Sequence, residues 1–273
     1  MCRFFCYIGK SINIYNILYE YENSIFKQCY QLPYTPGIKK PNPRDNAINV
    51  DGFGIGIYQN TDNPFIYTST KTPWSDINLK RICKYMTSNL FFAHIRGVKP
   101  FNENSFIHEL NCHPFRYGKY IMQHNGFISK YKNIKPNILS ILNKNAIEVI
   151  QGNVDSEDIF ALFINNFKNN ELNENLPLDK ICSYLMEAIN TIITLNKNAS
   201  SSFNIAISDG TKILCIRYIN SEIEEPPSLY YKKNDDNIII CSEPLKYNDD
   251  SWNLIPKNHA IYIEKKNFLI KKL

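Results

Sequence analysis

The sequence predicts an α+β protein in which antiparallel sheets are covered by helices. Two observations carry this prediction: eight short runs rich in β-branched and aromatic residues, and their grouping, with four helical segments set between the groups. The runs fall at residues 4–8, 54–58, 90–94, 120–123, 204–208, 213–218, 238–242 and 260–264. The helical segments fall at about 78–88, 137–149, 155–168 and 178–196, and the third opens on Asp155-Ser156-Glu157-Asp158, a capping and acidic first turn. A proline-rich stretch at 33–43 predicts a long surface loop. With no internal repeat and no linker to divide the chain, residues 1–273 are expected to form a single domain.

Charge and composition exclude several function classes. The 31 basic and 26 acidic residues leave a net charge of +5, and like charges cluster no further than pairs such as Lys265 and Lys266. That gives no electrostatic footprint for nucleic acid. The first twenty residues mix Arg3, Lys10, Asn13, Asn16 and Glu20 among the apolar ones, so no signal-peptide core or membrane span is expected, and the protein is placed in the cytoplasm. Eight cysteines stand at 2, 6, 29, 83, 112, 182, 215 and 241 without a Cys-x-x-Cys pair or a zinc-ligand spacing. In a reducing compartment the ordinary cysteine is a small buried hydrophobe, from which Cys2 has to be distinguished.

Four local features carry possible chemistry. If Met1 is removed, Cys2 presents a thiol and an α-amine on one residue; with an ordinary pKa of about 7.7 to 8.0, that amine can serve as the nucleophile's own base. Arg96 follows the apolar run Leu90-Phe91-Phe92, where its donor fork suits a substrate carboxylate or, equally, a surface ion pair. The run at 120–123 leads into His124-Asn125-Gly126. That dipeptide first suggests a tight hairpin turn, and alternatively an oxyanion hole built from the Asn125 amide and the Gly126 N–H. Asp155 reads as a helix N-cap or as an acceptor for a substrate ammonium, and His113 and His124 read as structural histidines rather than metal ligands.

The combination and order of these motifs are informative. Met1-Cys2-Arg3, Asp51-Gly52-Phe53-Gly54, Pro73-Trp74-Ser75-Asp76, Ala93-His94-Ile95-Arg96, Asn111-Cys112-His113-Pro114-Phe115, His124-Asn125-Gly126, Asp155-Ser156-Glu157 and Ser242-Glu243-Pro244-Leu245 occur in sequence. Together, from residue 1 to about 265, they resemble the class II glutamine amidotransferases, which are N-terminal-nucleophile hydrolases. The stand-alone branch is the nearest in kind; it includes a fungal glutathione-degradation subunit and the γ-glutamyl hydrolase of the ergothioneine pathway. The resemblance implies a four-layer αββα sandwich of two antiparallel sheets between helices, and no metal or organic cofactor. It implies that Cys2 is the nucleophile with its α-amine as proton shuttle, that Asn125 and Gly126 form the oxyanion hole, and that Arg96 and Asp155 hold the α-carboxylate and α-ammonium of the substrate. The sequence departs from the family after Arg96, where Gly97-Val98-Lys99-Pro100 stand in the loop expected to close over the substrate.

The resemblance leaves no residues for a synthase domain. The expected activity is therefore cleavage of a small γ-glutamyl compound, glutathione-like, through a γ-glutamyl thioester. Its alternatives are a glutaminase subunit that passes ammonia from glutamine to a partner subunit, and a silent scaffold that retains the fold. A site based on Cys112 and a distant histidine is the weakest of these readings.

Overall fold

Alternate residues along the strands feed two separate hydrophobic cores. The computed structural model describes residues 2–30, 49–59, 63–97, 107–168 and 170–273, so the loop expected at 33–43 and residues 98–100 lie outside the described residues. The chain divides into two compact units, each assembled from two stretches: Met1–Pro114 with Pro227–Pro256, and Phe115–Pro226 with Lys257–Leu273.

The first unit holds β1 (Arg3–Asn13), β2 (Phe53–Tyr58), β3 (Phe65–Ser69), α1 (Ile77–Tyr85) and β4 (Thr87–Ile95). Three further strands belong to it, β9 (Tyr230–Lys233), β10 (Asn237–Cys241) and β11 (Asn253–Leu254). They pair antiparallel in the order β11-β9-β10-β1-β4-β2-β3. Phe5 and Tyr7 of β1, Phe53, Ile55 and Ile57 of β2, Phe91, Ala93 and Ile95 of β4, and Ile239 and Cys241 of β10 share one core with Leu79 and Cys83 of α1. That every second residue enters this core is the two-residue period of a strand made visible. Asp76 caps α1 by accepting the Leu79 N–H at 2.9 Å.

The second unit holds β5 (Phe115–Tyr117), β6 (Tyr120–Phe127), α2 (Tyr131–Ile141), α3 (Lys144–Ile147), α4 (Asp155–Asn165) and α5 (Leu178–Leu195). The strands β7 (Ser202–Ser208), β8 (Lys212–Ile219), β12 (His259–Glu264) and β13 (Asn267–Lys272) complete an antiparallel sheet in the order β13-β12-β8-β7-β6-β5. Tyr120 and Met122, Phe203, Ile205 and Ile207, and Leu214 and Ile216 form its helix-facing side, packed with Ile159, Phe160 and Phe163 of α4 and Leu185, Ile189 and Ile192 of α5.

All eight predicted runs are strands of these sheets, and all four helical segments are present, with two corrections. The segment expected at 137–149 starts earlier, at Tyr131, with Pro136 inside the helix, and it breaks at Leu142 before Asn143 recaps α3 by accepting the Ala146 N–H at 3.0 Å. The hairpin suggested by Asn125-Gly126 is absent: both residues lie within β6, paired with Asn204 and Phe203 of β7. The apolar run continues as strand through the dipeptide because the β7 ladder supplies partners for it.

Candidate active site

In the first unit the predicted residues gather at one end of the central strands. Cys2 directly precedes β1, and its sulfur lies 3.5 Å from the Gly97 nitrogen and 3.8 Å from the Gly97 carbonyl oxygen. Arg3 pairs in register with Ile95, which brings the start of β1 beside the end of β4, where Arg96 and Gly97 follow. Arg96 is 4% exposed. Its backbone is pinned on both sides, N–H to the Gly52 carbonyl at 2.8 Å and carbonyl to the Asp51 N–H at 3.2 Å, and its guanidinium donates to the Asp51 carbonyl at 3.4 Å. Gly52 adopts φ +120, and a Cβ there would stand 2.5 Å from the Cys112 sulfur, so the turn requires glycine.

The second unit gathers the other three. Asn125 is 3% exposed and lies on the sheet face opposite the helices, whereas His124 points to the helix side. His124 meets the Ser202 carbonyl through Nε2 at 3.1 Å and the Ser156 hydroxyl through Nδ1 at 2.9 Å. A carbonyl only accepts, so Nε2 carries the proton and neutral Nδ1 accepts from Ser156. Burial lowers the pKa of this histidine, against the pull of Asp155, which keeps the ring neutral. Asp155 accepts the Ile128 N–H at 3.2 Å and lies 3.3 Å from the Ser156 hydroxyl. The start of α4 is thus tied to the end of β6, and Asp155 is brought together with the Asn125-Gly126 strand end.

Asp155 is the first residue of α4 and not its N-cap, a position held by Val154. The loop before α4 is satisfied from inside the helix by Glu157, whose carboxylate accepts the N–H groups of Gln151 at 2.9 Å, Gly152 at 2.7 Å and Val154 at 3.4 Å. This leaves the half-buried Asp155 carboxylate at the positive end of the helix, where a carboxylate is stabilised and further donors can be accepted. Burial raises the pKa of Glu157, and the three backbone donors oppose that shift.

Chemical reactivity separates the cysteines. All eight are free, and seven are buried; only Cys2 is partly exposed. Burial pushes the thiols of Cys29, Cys83, Cys112 and Cys241 up to about 12, with the Arg96 charge opposing the shift at Cys112, so none of these offers a thiolate near neutral pH. Among the described residues no group of three or more His, Cys, Asp or Glu side chains could hold a metal ion, and no helix is long and apolar enough to cross a membrane.

The contacts of two sets of residues around these positions are not legible in the sequence. Arg3 donates to Glu243 at 2.9 Å and to the Cys2 carbonyl at 3.1 Å. The partnership is 240 residues long and carries no local signal. Ser156 and Glu157 stood inside a recognised motif, and an acidic residue three positions into the helix is a capping signature, but its reach to Gln151 and Gly152 depends on the fold of the loop.

Comparison with known proteins identifies the family and the fold. The family model for glutamine amidotransferases class-II matches residues 42–227. The chain is 28% identical over 311 residues to the probable glutamine amidotransferase DUG3 of Saccharomyces cerevisiae, covering 99% of this chain and 84% of that protein. It is 20% identical over 274 residues to the gamma-glutamyl-hercynylcysteine sulfoxide hydrolase of Mycolicibacterium smegmatis, covering 100% of both. Among solved structures it resembles a glutamine aminotransferase class-II domain protein from Silicibacter pomeroyi, with a TM-score of 0.68 at 20% identity over 99% of this chain and 98% of the other. It also resembles the glutamine phosphoribosylpyrophosphate amidotransferase of B. subtilis, with a TM-score of 0.65 at 11% identity over 99% of this chain and 49% of that one. These likenesses show the α+β fold of two antiparallel sheets with helices that the motifs had implied. The chain is an enzyme that belongs to the class II glutamine amidotransferases.

Proposed function

We propose that this enzyme hydrolyses the γ-glutamyl amide bond of a small glutathione-like compound, with Cys2 as its nucleophile once Met1 has been removed. The observation that carries the reading is the position of Cys2, the only cysteine of the eight that is not buried, with its sulfur against the Gly97 N–H. In the first step the α-amine of Cys2 takes the thiol proton and sulfur attacks the γ-carbonyl carbon. The oxyanion so formed is stabilised by the Asn125 side-chain amide and the Gly126 N–H. Collapse of this intermediate breaks the C–N bond, the leaving amine takes the proton from the α-ammonium, and a γ-glutamyl thioester remains. Water, deprotonated by the same amine, then attacks the thioester, releasing glutamate and restoring the thiol. Arg96 pairs with the substrate α-carboxylate and Asp155 with its α-ammonium, so that the head group is fixed at both charges.

The family match at 42–227 runs across the boundary at residue 114, which supports treating residues 1–273 as one functional domain. Eight free cysteines agree with a reducing compartment such as the cytoplasm. Hydrolysis is preferred over ammonia transfer because a relative aligned over 100% of both chains is named as a hydrolase of a γ-glutamyl compound. The test is glutamate release from glutathione and from glutamine by protein whose intact mass shows that Met1 is gone. The reading predicts release from the γ-glutamyl peptide and none above background for Cys2→Ala. Release from glutamine alone, or only with a partner subunit added, would favour the glutaminase reading, and Cys2→Ala at the wild-type rate would refute the mechanism.

A further inference from the structure

We propose that Arg3 and Glu243 form a positioning pair that orients the N-terminal nucleophile. The inference rests on the reading of Cys2 given above and explains how a residue at a chain end can be held still. Loss of Met1 leaves Cys2 with no preceding residue, so its backbone is anchored from one side only. Arg3 supplies an anchor through two donors of one guanidinium. Its Nε donates to the Glu243 carboxylate at 2.9 Å and its Nη1 donates to the Cys2 carbonyl at 3.1 Å. That carbonyl bond holds the peptide plane between Cys2 and Arg3. Once the plane is held and the sulfur lies against Gly97 at 3.5 Å, the torsions between them are set, and with them the direction of the α-amine.

The far end of the pair is itself fixed. Arg3 is 9% exposed and Glu243 3%, so the charges meet away from bulk water. Ser242 bonds to β1 on both sides of Phe4, its Oγ accepting the Phe4 N–H at 2.9 Å and its N–H donating to the Phe4 carbonyl at 3.0 Å. Gln28 donates to the Glu243 carbonyl at 3.3 Å and Ser228 to the Ser242 carbonyl at 3.0 Å. Strand alternation puts Arg3 on the face of Phe5 and Tyr7, with Cys2 on the opposite face. Arg3 therefore acts on the backbone of the nucleophile from behind, and is a positioning residue that touches no substrate. A lysine could keep the charge opposite Glu243 but lacks the fork that reaches both acceptors.

The experiment compares Arg3→Lys with the double variant Arg3→Met/Glu243→Leu, in which both charges leave together so that neither is stranded. Intact mass must show Met1 removed in each. The expected result is kcat lower by roughly 10- to 100-fold with KM for the γ-glutamyl peptide nearly unchanged, since a misplaced nucleophile slows chemistry more than binding. The limb of the kcat/KM pH profile near the α-amine, ordinarily about 7.7 to 8.0, should be displaced, while iodoacetamide still alkylates Cys2. Wild-type kcat and an unaltered pH limb in the double variant would overturn the proposal. So would losses in both variants that merely track a lowered melting temperature. Wild-type activity in Cys2→Ala, by contrast, would remove the reading beneath it.

Discussion

Replacing Gly126 by alanine tests whether the end of β6 is built around a missing side chain. A Cβ at this position would lie 2.0 Å from the Ser202 carbonyl oxygen, 2.7 Å from the Ser202 carbonyl carbon and 2.4 Å from His124 Nε2. Two of those atoms are backbone of the paired strand β7, so no flexible side chain can swing aside. Relief requires the β6 and β7 ladder to open where Gly126 faces Phe203, and the same movement draws the Ser202 carbonyl away from His124, whose Nε2 donates to it at 3.1 Å. Forcing a methyl group into a packed site costs about 1–3 kcal/mol. Losing a buried hydrogen bond adds about 1 kcal/mol. Together these predict a loss of about 2–4 kcal/mol, visible as a fall of several degrees in melting temperature and a lower urea midpoint at unchanged slope. Circular dichroism during thermal and urea unfolding measures it directly. A Gly126→Ala protein as stable as wild type would refute the reasoning.

Three other expectations follow from the same geometry. Asn125→Ala should lower kcat for glutamate release by roughly a hundred- to a thousand-fold, the range for one lost oxyanion donor, while leaving the melting temperature nearly unchanged. Burial holds His124 below its ordinary pKa, so the unfolded chain takes up the proton first as pH falls. Its contribution to stability is full above the unfolded value of about 6.5 and is lost below it, by about 1 kcal/mol between pH 7.5 and 5.5. Glu157 and Asp158, whose pKa values burial raises, act in the opposite direction over this range. Urea midpoints of wild type and His124→Gln at the two pH values isolate the histidine, and an equal acid loss in the variant would refute it. Glu157→Gln replaces a carboxylate that takes two short backbone bonds, at 2.9 and 2.7 Å. It should destabilise by about 2 kcal/mol and raise KM more than it lowers kcat, because Asp155 stands two residues away on the same turn; steady-state kinetics with urea unfolding checks both.

Why some strands were legible in the sequence and others were not follows from their places in the sheets. The eight predicted runs lie in β1, β2, β4, β6, β7, β8, β10 and β12, all of them interior strands. Most of them carry a nearly continuous apolar run because both of their faces are buried, as in β2, where all six residues from Phe53 to Tyr58 are buried. The strands that went unread are β3, β5, β11 and β13 at the four sheet edges, and β9 beside one of them. Edge strands pair on one side only and tolerate exposed or charged positions, as Lys271 and Lys272 of β13 illustrate. Their local pattern is therefore weak, and their pairing is specified by neighbours distant in sequence.

The site divides in a similar way. Cys2, Arg96, Asn125, Gly126 and Asp155 are proposed as the reacting and binding residues because each stands in a short string whose residue types already suggest chemistry. The pairings that hold them are not legible there. Arg3 reaches Glu243 across 240 residues, His124 reaches Ser202 across 78 and Ser156 across 32, and Ile128 is tied to Asp155 across 27. Such pairings come into existence only when strands find their register, so the sequence near either partner holds no record of them. In the proposed mechanism those five residues supply the chemistry, whereas these long-range pairs hold the reacting groups still enough to perform it. A chain could retain Cys2, Arg96, Asn125, Gly126 and Asp155 and lose turnover through a change at Glu243 or Ser156, and for this reason the Arg3→Met/Glu243→Leu variant is more informative than another substitution among those five.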